Sequence, residues 1–168
     1  MRVIGIDPGL RSTGWGILES NGGMLSHLGN GQFSSSGENL AERLHSIFQQ
    51  LTTVVADYSP DYAAVENTFV NKDSAGALKL GHARAVALIV PSIAGLPVAE
   101  YAPNNIKKSV TGSGHAEKSQ IERVVRMQFP SAEIAGSDAA DALATALAHI
   151  LRLQYSRSLD AAISRVVC

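Results

Sequence analysis

Four carboxylates stand where their surroundings give them chemical use. Asp7 closes the apolar run RVIGID, Glu66 closes DYAAVE, and Asp138 and Asp141 open the stretch DAADALATALAHI. A carboxylate directly after an apolar β-run is costly unless something pairs with it. Asp138 and Asp141 are three residues apart, a spacing that projects both from the same side of a helix. Four acids gathered in one place repel one another unless they are protonated or share cations. Oxygen-only donors select hard ions, Mg²⁺ or Mn²⁺. Two such ions, with Asp7 bridging, form a clamp for in-line attack of water on a phosphodiester. Each acid also has an ordinary structural reading. Asp138, or Ser137 before it, suits a helix N-cap, and acids are favoured in a first helical turn. Glu66 alone reads equally as a solvated strand end.

The elements that must position these acids follow from hydrophobic period and turn residues. Residues 2–7, 12–19 and 24–33 read as strands, separated by Pro8-Gly9 and Asn21-Gly22-Gly23 as in an antiparallel meander. A helix is predicted over 37–57, where Leu40, Leu44, Ile47, Phe48, Leu51, Val54 and Val55 recur at spacings of three and four, with Ser35 and Glu38 fitting a capping box. A strand at 61–66, a helix at 73–90 and a strand at 96–101 come next, then helices at 103–110, 117–128 and 138–153. The expected fold class is α/β: a five-stranded mixed sheet, its first three strands antiparallel and the rest parallel, flanked by helices. Strands one, four and five would be joined by right-handed crossovers, and sites form at the carboxyl ends of such strands. Strands one and four should be neighbours, which brings Asp7 and Glu66 together. Leu143, Leu147, Ile150 and Leu151 occupy a different helical face from the aspartates, leaving the acid side free to approach the sheet.

Length and composition agree with one globular domain over residues 1–168, at 45% hydrophobic and 17% charged residues. Too few residues precede Asp7 for a signal peptide. The greasiest stretch, AVALIV at 85–90, is interrupted by Pro91, Ser92, Gly95 and Pro97, so no membrane span is expected. The one cysteine, Cys168, has no partner in the chain, which points to a reduced, cytoplasmic compartment. Net charge is −1, yet it is unevenly spread: residues 1–66 hold three basic and seven acidic side chains, residues 72–126 eight basic and four acidic. An acidic part beside a basic part suits a site that gathers metal ions and then an anionic polymer. Chance scatter on a solvated surface would look the same.

At this point the residues resemble a known family. GIDPG with the following TGWG, PDYAAVENTF (60–69), SAGALKLGHARAVAL (74–88), HAEKSQI (115–121) and DAADALA (138–144) are similar to the RuvC family of Holliday-junction resolvases, over nearly the whole chain. The resemblance implies a ribonuclease H-like fold and four catalytic, metal-binding acids: Asp7, Glu66, Asp138 and Asp141. It implies Mg²⁺, two per subunit, with Mn²⁺ able to substitute. It also implies a homodimer that nicks two like-polarity strands of a four-way DNA junction, leaving 5′-phosphate and 3′-hydroxyl ends. Its partners there are a hexameric branch-migration motor and that motor's junction-binding protein. Family members are often clearly basic, whereas this chain is slightly acidic, which implies weaker or more salt-sensitive DNA binding.

Other residues acquire roles only through the resemblance. Lys107, Lys108 and Lys118 fall around the loop TGSGHAEK (111–118), whose Gly-Ser-Gly turn suits a backbone approach to phosphate. Read alone, they are solvated lysines on a flexible turn. The family places lysines matching Lys107 and Lys118 beside the scissile phosphate, and Lys108 stays a surface residue. Phe69 reads alone as core packing, while the family has an aromatic there that stacks on an exposed junction base. His115, in the basic loop, is a phosphate contact or a solvated histidine. His149 lies on the helical face of Asp138 but roughly 16 Å further along the axis, too far to share its metal. His27, His45 and His82 have no ligand-like spacing, and Trp15 and Phe33 read as packing.

Three rival readings remain. A RuvX-type ribonuclease H-like nuclease acting on RNA also begins with a GIDPG-like run, but DAADALA and the Glu66/Phe69 spacing favour the resolvase. A sugar-kinase or actin-like ATPase needs two such domains around its nucleotide, and 168 residues supply one. A non-catalytic junction-binding module has no need of the intact acid set.

Overall fold

The computed structural model describes residues 1–67 and 74–166, with side chains for all of these but 74–75 and 161–166. Strands β1 (Arg2–Asp7), β2 (Ser12–Asn21) and β3 (Met24–Ser34) form the meander. They are followed by α1 (Leu40–Tyr58), β4 (Tyr62–Glu66), α2 (Ser74–Ile93), β5 (Val98–Tyr101), α3 (Pro103–Thr111), α4 (Lys118–Gln128) and α5 (Ser137–Val166). Among the described residues the strands make one sheet in the order β3-β2-β1-β4-β5, with β4 parallel to both β1 and β5. The expected mixed sheet is therefore present, and β1 and β4 are neighbours.

β1 occupies the centre because its run is apolar on both faces. Ile4 and Ile6 join Ile17, Phe33, Ala63 and Val65 against α1 and α2, where Leu51, Val54, Ala87 and Val90 close the layer. Val3, Leu18 and Ala64 face the other way, onto α3, α4 and α5 through Ile106, Ile121, Val125, Leu143 and Leu147. Removing each such Leu or Ile side chain from water contributes about 1.5–3 kcal/mol.

The α5 layer lies unusually close to the sheet, and small residues on both sides permit it. Ala139, Ala140, Ala142, Ala144, Ala146 and Ala148 of α5 are all buried. Beneath them, a Cβ added to Gly5 would fall on the Ala142 carbonyl oxygen, and one added to Gly14 on the Asp138 carbonyl oxygen. Trp15 and Phe33 stack at 6.1 Å between ring centroids, as packing residues. Among the described residues, no helix is long and apolar enough to cross a membrane.

Several boundaries differ from the sequence reading. α1 starts at Leu40 rather than 37, capped by Asn39, whose side chain accepts from Glu42 N–H at 3.0 Å. Gly37 adopts φ 133°, outside helical backbone, and Ser35 instead donates to the Leu10 carbonyl at 2.6 Å. α2 runs on through Pro91 to Ile93. β5 starts at Val98 because Pro97, without an N–H, contributes only its carbonyl, to Ala63 N–H. α5 continues to Val166 instead of ending near 153, since no Gly or Pro follows Gly136 to stop it.

Candidate active site

Asp7 and Glu66 end adjacent parallel strands, with Ile6 level with Val65. In the antiparallel direction Asp7 pairs with Gly14 of β2. Because Gly14 has no side chain, the first turn of α5 comes down on that pair and delivers Asp138 and Asp141 over it. Carboxylate oxygens of Asp7, Asp138 and Asp141 all lie within 4.8 Å of one another. Ser12 Oγ donates to Asp138 Oδ2 at 2.6 Å and fixes its orientation. Asp138 thus accepts a hydrogen bond from another element instead of capping its own helix.

Glu66 stands to one side of this trio. It lines a cavity of about 240 Å³ with Asp141, Lys107, Lys118, Ile106 and Ile121. Lys118 Nζ lies 2.5 Å from Asp141 Oδ2. It is the first residue of α4, whose start is held by a reciprocal capping box between Glu117 and Gln120. Lys107, half-buried on α3, faces the same cavity, while its neighbour Lys108 is exposed and lines a different one with Arg152 and Tyr155.

The electrostatics are those of acids crowded out of water. Burial, then the fields of Glu66, Asp141 and Asp138, push the Asp7 carboxyl up to about 8, against a small opposing pull from Lys118. Burial and the charge of Asp141 push Glu66 up to about 7, with Lys118 and Lys107 opposing. Burial also raises Asp141, although its hydrogen bond to Lys118 works the other way. Partial burial pulls the Lys118 ammonium down, but the hydrogen bond and charge of Asp141 and the fields of Asp7 and Asp138 outweigh it and raise it. Crowded hard oxygens with suppressed ionisation are what a divalent cation relieves, so the donor set fits one.

The remaining predicted residues separate cleanly. His115 is exposed on the loop between α3 and α4. Phe69 lies outside the described residues. His149 is a buried core histidine, its Nδ1 hydrogen-bonded to Tyr101 Oη at 2.7 Å and its pKa lowered by burial. His27 pairs with Asn30 at 2.8 Å, and His45 is exposed.

Sequence reasoning missed the residues that hold the acids in place. Thr13 is buried and staples the loop after Asp7, its Oγ1 donating to the Gly9 carbonyl at 2.7 Å. Arg43 of α1 donates to the Leu10 carbonyl at 3.0 Å and to Ser35 Oγ at 2.9 Å. One signal was available: in Ser12-Thr13-Gly14-Trp15-Gly16 the small residues alternate, and by the period of two they mark a face against which a helix lies closely.

Comparison with known proteins places these residues in a lineage. The family model described as crossover junction endodeoxyribonuclease RuvC matches residues 3–149. The crossover junction endodeoxyribonuclease RuvC of Cereibacter sphaeroides is 54% identical over 165 residues, 98% of either chain. That of Ruegeria pomeroyi is 56% identical over 149 residues, 89% of this chain and 90% of its own. The structure of Thermus thermophilus RuvC in complex with Holliday junction substrate superposes with a TM-score of 0.85 at 32% identity, covering 93% of this chain and 96% of that one. The sheet order and flanking helices are thus the ribonuclease H-like fold that the resemblance implied. Matched from its first strand to its last core helix, this chain belongs to the RuvC family of crossover junction endodeoxyribonucleases.

Proposed function

We propose that this protein resolves four-way DNA junctions by paired, metal-dependent hydrolytic nicks in strands of like polarity, leaving 5′-phosphate and 3′-hydroxyl ends, in recombination and repair. The observation that carries the reading is the convergence of Asp7, Asp138 and Asp141 within 4.8 Å in a chain of this family. The solved Thermus thermophilus relative is bound to a Holliday junction.

Asp7, Glu66, Asp138 and Asp141 would hold Mg²⁺, two ions per subunit, with Mn²⁺ as substitute. When bound, the ions supply Lewis-acid polarisation of the scissile phosphate and lower the pKa of the attacking water. The protein's own contribution is positional. Ser12 keeps the Asp138 carboxylate turned into the cluster, and the closely seated α5 keeps both of its acids over Asp7. Lys107 and Lys118 place positive charge at the wall of the same cavity, where charge builds on the phosphate oxygens in the transition state. His115 offers a hydrogen-bond donor from the neighbouring loop to the DNA backbone. Phe69 takes the role of a stacking aromatic on an unpaired junction base.

A near-two-fold junction calls for two sites, hence a homodimer. Leu78, Ile89 and Ile93 of α2, exposed at 64%, 49% and 71%, recur on one helical face and suit burial against a second copy. The working context is cytoplasmic, beside the branch-migration motor and its junction-binding partner.

The deciding experiment incubates the protein with a synthetic four-way junction, a linear duplex, RNA and ATP, each with Mg²⁺. Selective symmetric cutting of the junction is expected. Turnover of RNA or ATP with an intact junction overturns the reading.

A further inference from the structure

The acid cluster opens on one side into the cavity where Lys107 and Lys118 stand beside Glu66 and Asp141, on the α3–α5 face of the sheet. A second cavity lies on the opposite, α1–α2 face, lined by Leu10, Arg11, Arg43, Gly76, Lys79 and Leu80. Leu10 and Arg11 belong to the loop leaving β1 directly after Asp7. Gly76 and Lys79 belong to the first turns of α2, the element that follows Glu66 in the chain. The two walls therefore come from the segments downstream of the two acids that end neighbouring strands.

Three cations and no carboxylate line this cavity among the described residues. Arg43 is half-buried and already oriented, its guanidinium spanning the Leu10 carbonyl at 3.0 Å and Ser35 Oγ at 2.9 Å. Arg11 and Lys79 are exposed at the rim. Positive charge here does not neutralise the acid cluster: the opposing cations felt by Asp7 and Glu66 are Lys118 and Lys107. Like charges gathered around one cavity repel unless an anion sits among them, and guanidinium groups match phosphate geometry.

We propose that this second cavity binds a backbone phosphodiester of the DNA, so that the cleaved strand crosses the carboxyl edge of the sheet with cationic seats on both sides of the acids. The proposal rests on the nuclease reading for its substrate, but it assigns a separate contact. Arg11 and Lys79 are the phosphate ligands, and Arg43 is a positioning residue that also holds the Leu10 loop.

Phosphate contacts are counted by salt dependence. Each contact contributes about 0.9 to the slope of log affinity against log salt on duplex arms, which is about eightfold in affinity at ~0.1 M salt. The experiment measures metal-free binding of a four-way junction and a linear duplex from about 50 to about 200 mM salt. It compares wild type, Arg11→Ala, Lys79→Ala, the double variant and Lys108→Ala, with melting temperatures to confirm folding. The single variants should each lose about one unit of slope and the double about two, with Lys108→Ala at the wild-type slope. Equal slopes for wild type and the double variant overturn the proposal, as does an equal loss for Lys108→Ala. A wild type that shows no preference for the junction overturns the nuclease reading instead, and slope loss on duplex then still supports the phosphate seat.

Discussion

Lys118 Nζ lies 2.5 Å from Asp141 Oδ2, so the metal-free protein holds one of its own cations against its acid cluster. Lys118 lowers the pKa of Asp7, Glu66 and Asp141 together. Lys118→Ala should therefore destabilise the metal-free protein at pH 8 and widen the gain in melting temperature on adding Mg²⁺. Cleavage should fall about 10²-fold, the usual effect of losing one preorganised donor at a developing charge. Single-turnover cleavage and thermal melts of the same preparation check both halves.

Asp7→Asn should abolish cleavage while junction binding survives or tightens, because a negative charge beside the phosphate is gone. It should also raise the metal-free melting temperature at alkaline pH, since the most strongly raised carboxyl has been removed. Substantial nicking by purified Asp7→Asn protein, free of host nucleases, would sink the assignment.

The pH dependence of the metal-free protein has a definite sign. Asp7 is raised from an ordinary value of 3.8 to about 8, and Glu66 from 4.5 to about 7. Between those limits the folded state binds more protons than the unfolded chain, so stability falls as pH rises. The two groups' contribution is fully present below about pH 4 and lost by about pH 8. Divalent ions bind the deprotonated acids and reverse the trend. At ten times its dissociation constant, Mg²⁺ at pH 8 adds about 1.4 kcal/mol, or roughly 3–6 °C in melting temperature. At pH 5 it should add almost nothing, and calorimetry with and without chelator reads the difference.

Gly14→Ala tests the seating of α5. The added methyl meets the Asp138 backbone, which cannot swing away as a side-chain tip does. Overpacking of this kind costs typically 1–3 kcal/mol, and it lifts the turn that carries two of the four acids. Cleavage should drop more than the loss of stability explains. Gly22→Ala, where the added methyl meets nothing within 4 Å but φ is 58°, serves as a comparison, with a cost in stability alone.

Paired cutting should require the exposed face of α2. Ile89→Asp should shift the protein toward monomer in sedimentation. A supercoiled cruciform, cut to linear product by the wild type, should then give mainly nicked circles.

Much of this protein was legible in its residues. Period-two runs and Gly-Pro joints located the strands, and the spacing of apolar residues located α1, because these patterns are local consequences of side-chain direction. The adjacency of Asp7 and Glu66 followed from parallel topology alone. Lys107 and Lys118 were separated from Lys108 only through the family resemblance; in the fold Lys107 of α3 and Lys118 of α4 line the cavity beside Glu66 and Asp141, while Lys108 lines a different one. Where helices stop was less legible: Asn39 displaced the expected cap because Gly37 left helical backbone, and α5 outran its core because nothing in its sequence ends it. The tertiary structure alone decided how deep α5 sits, and with it the 4.8 Å convergence of the acids. That depth depends on Gly5 of β1 and Gly14 of β2 meeting the α5 backbone at Ala142 and Asp138, more than a hundred residues away, a contact with no local signature. The same holds for the Ser12–Asp138 hydrogen bond and for the meeting of Arg11, Arg43 and Lys79, since side chains from distant segments acquire a common electrostatic purpose only once the chain has folded.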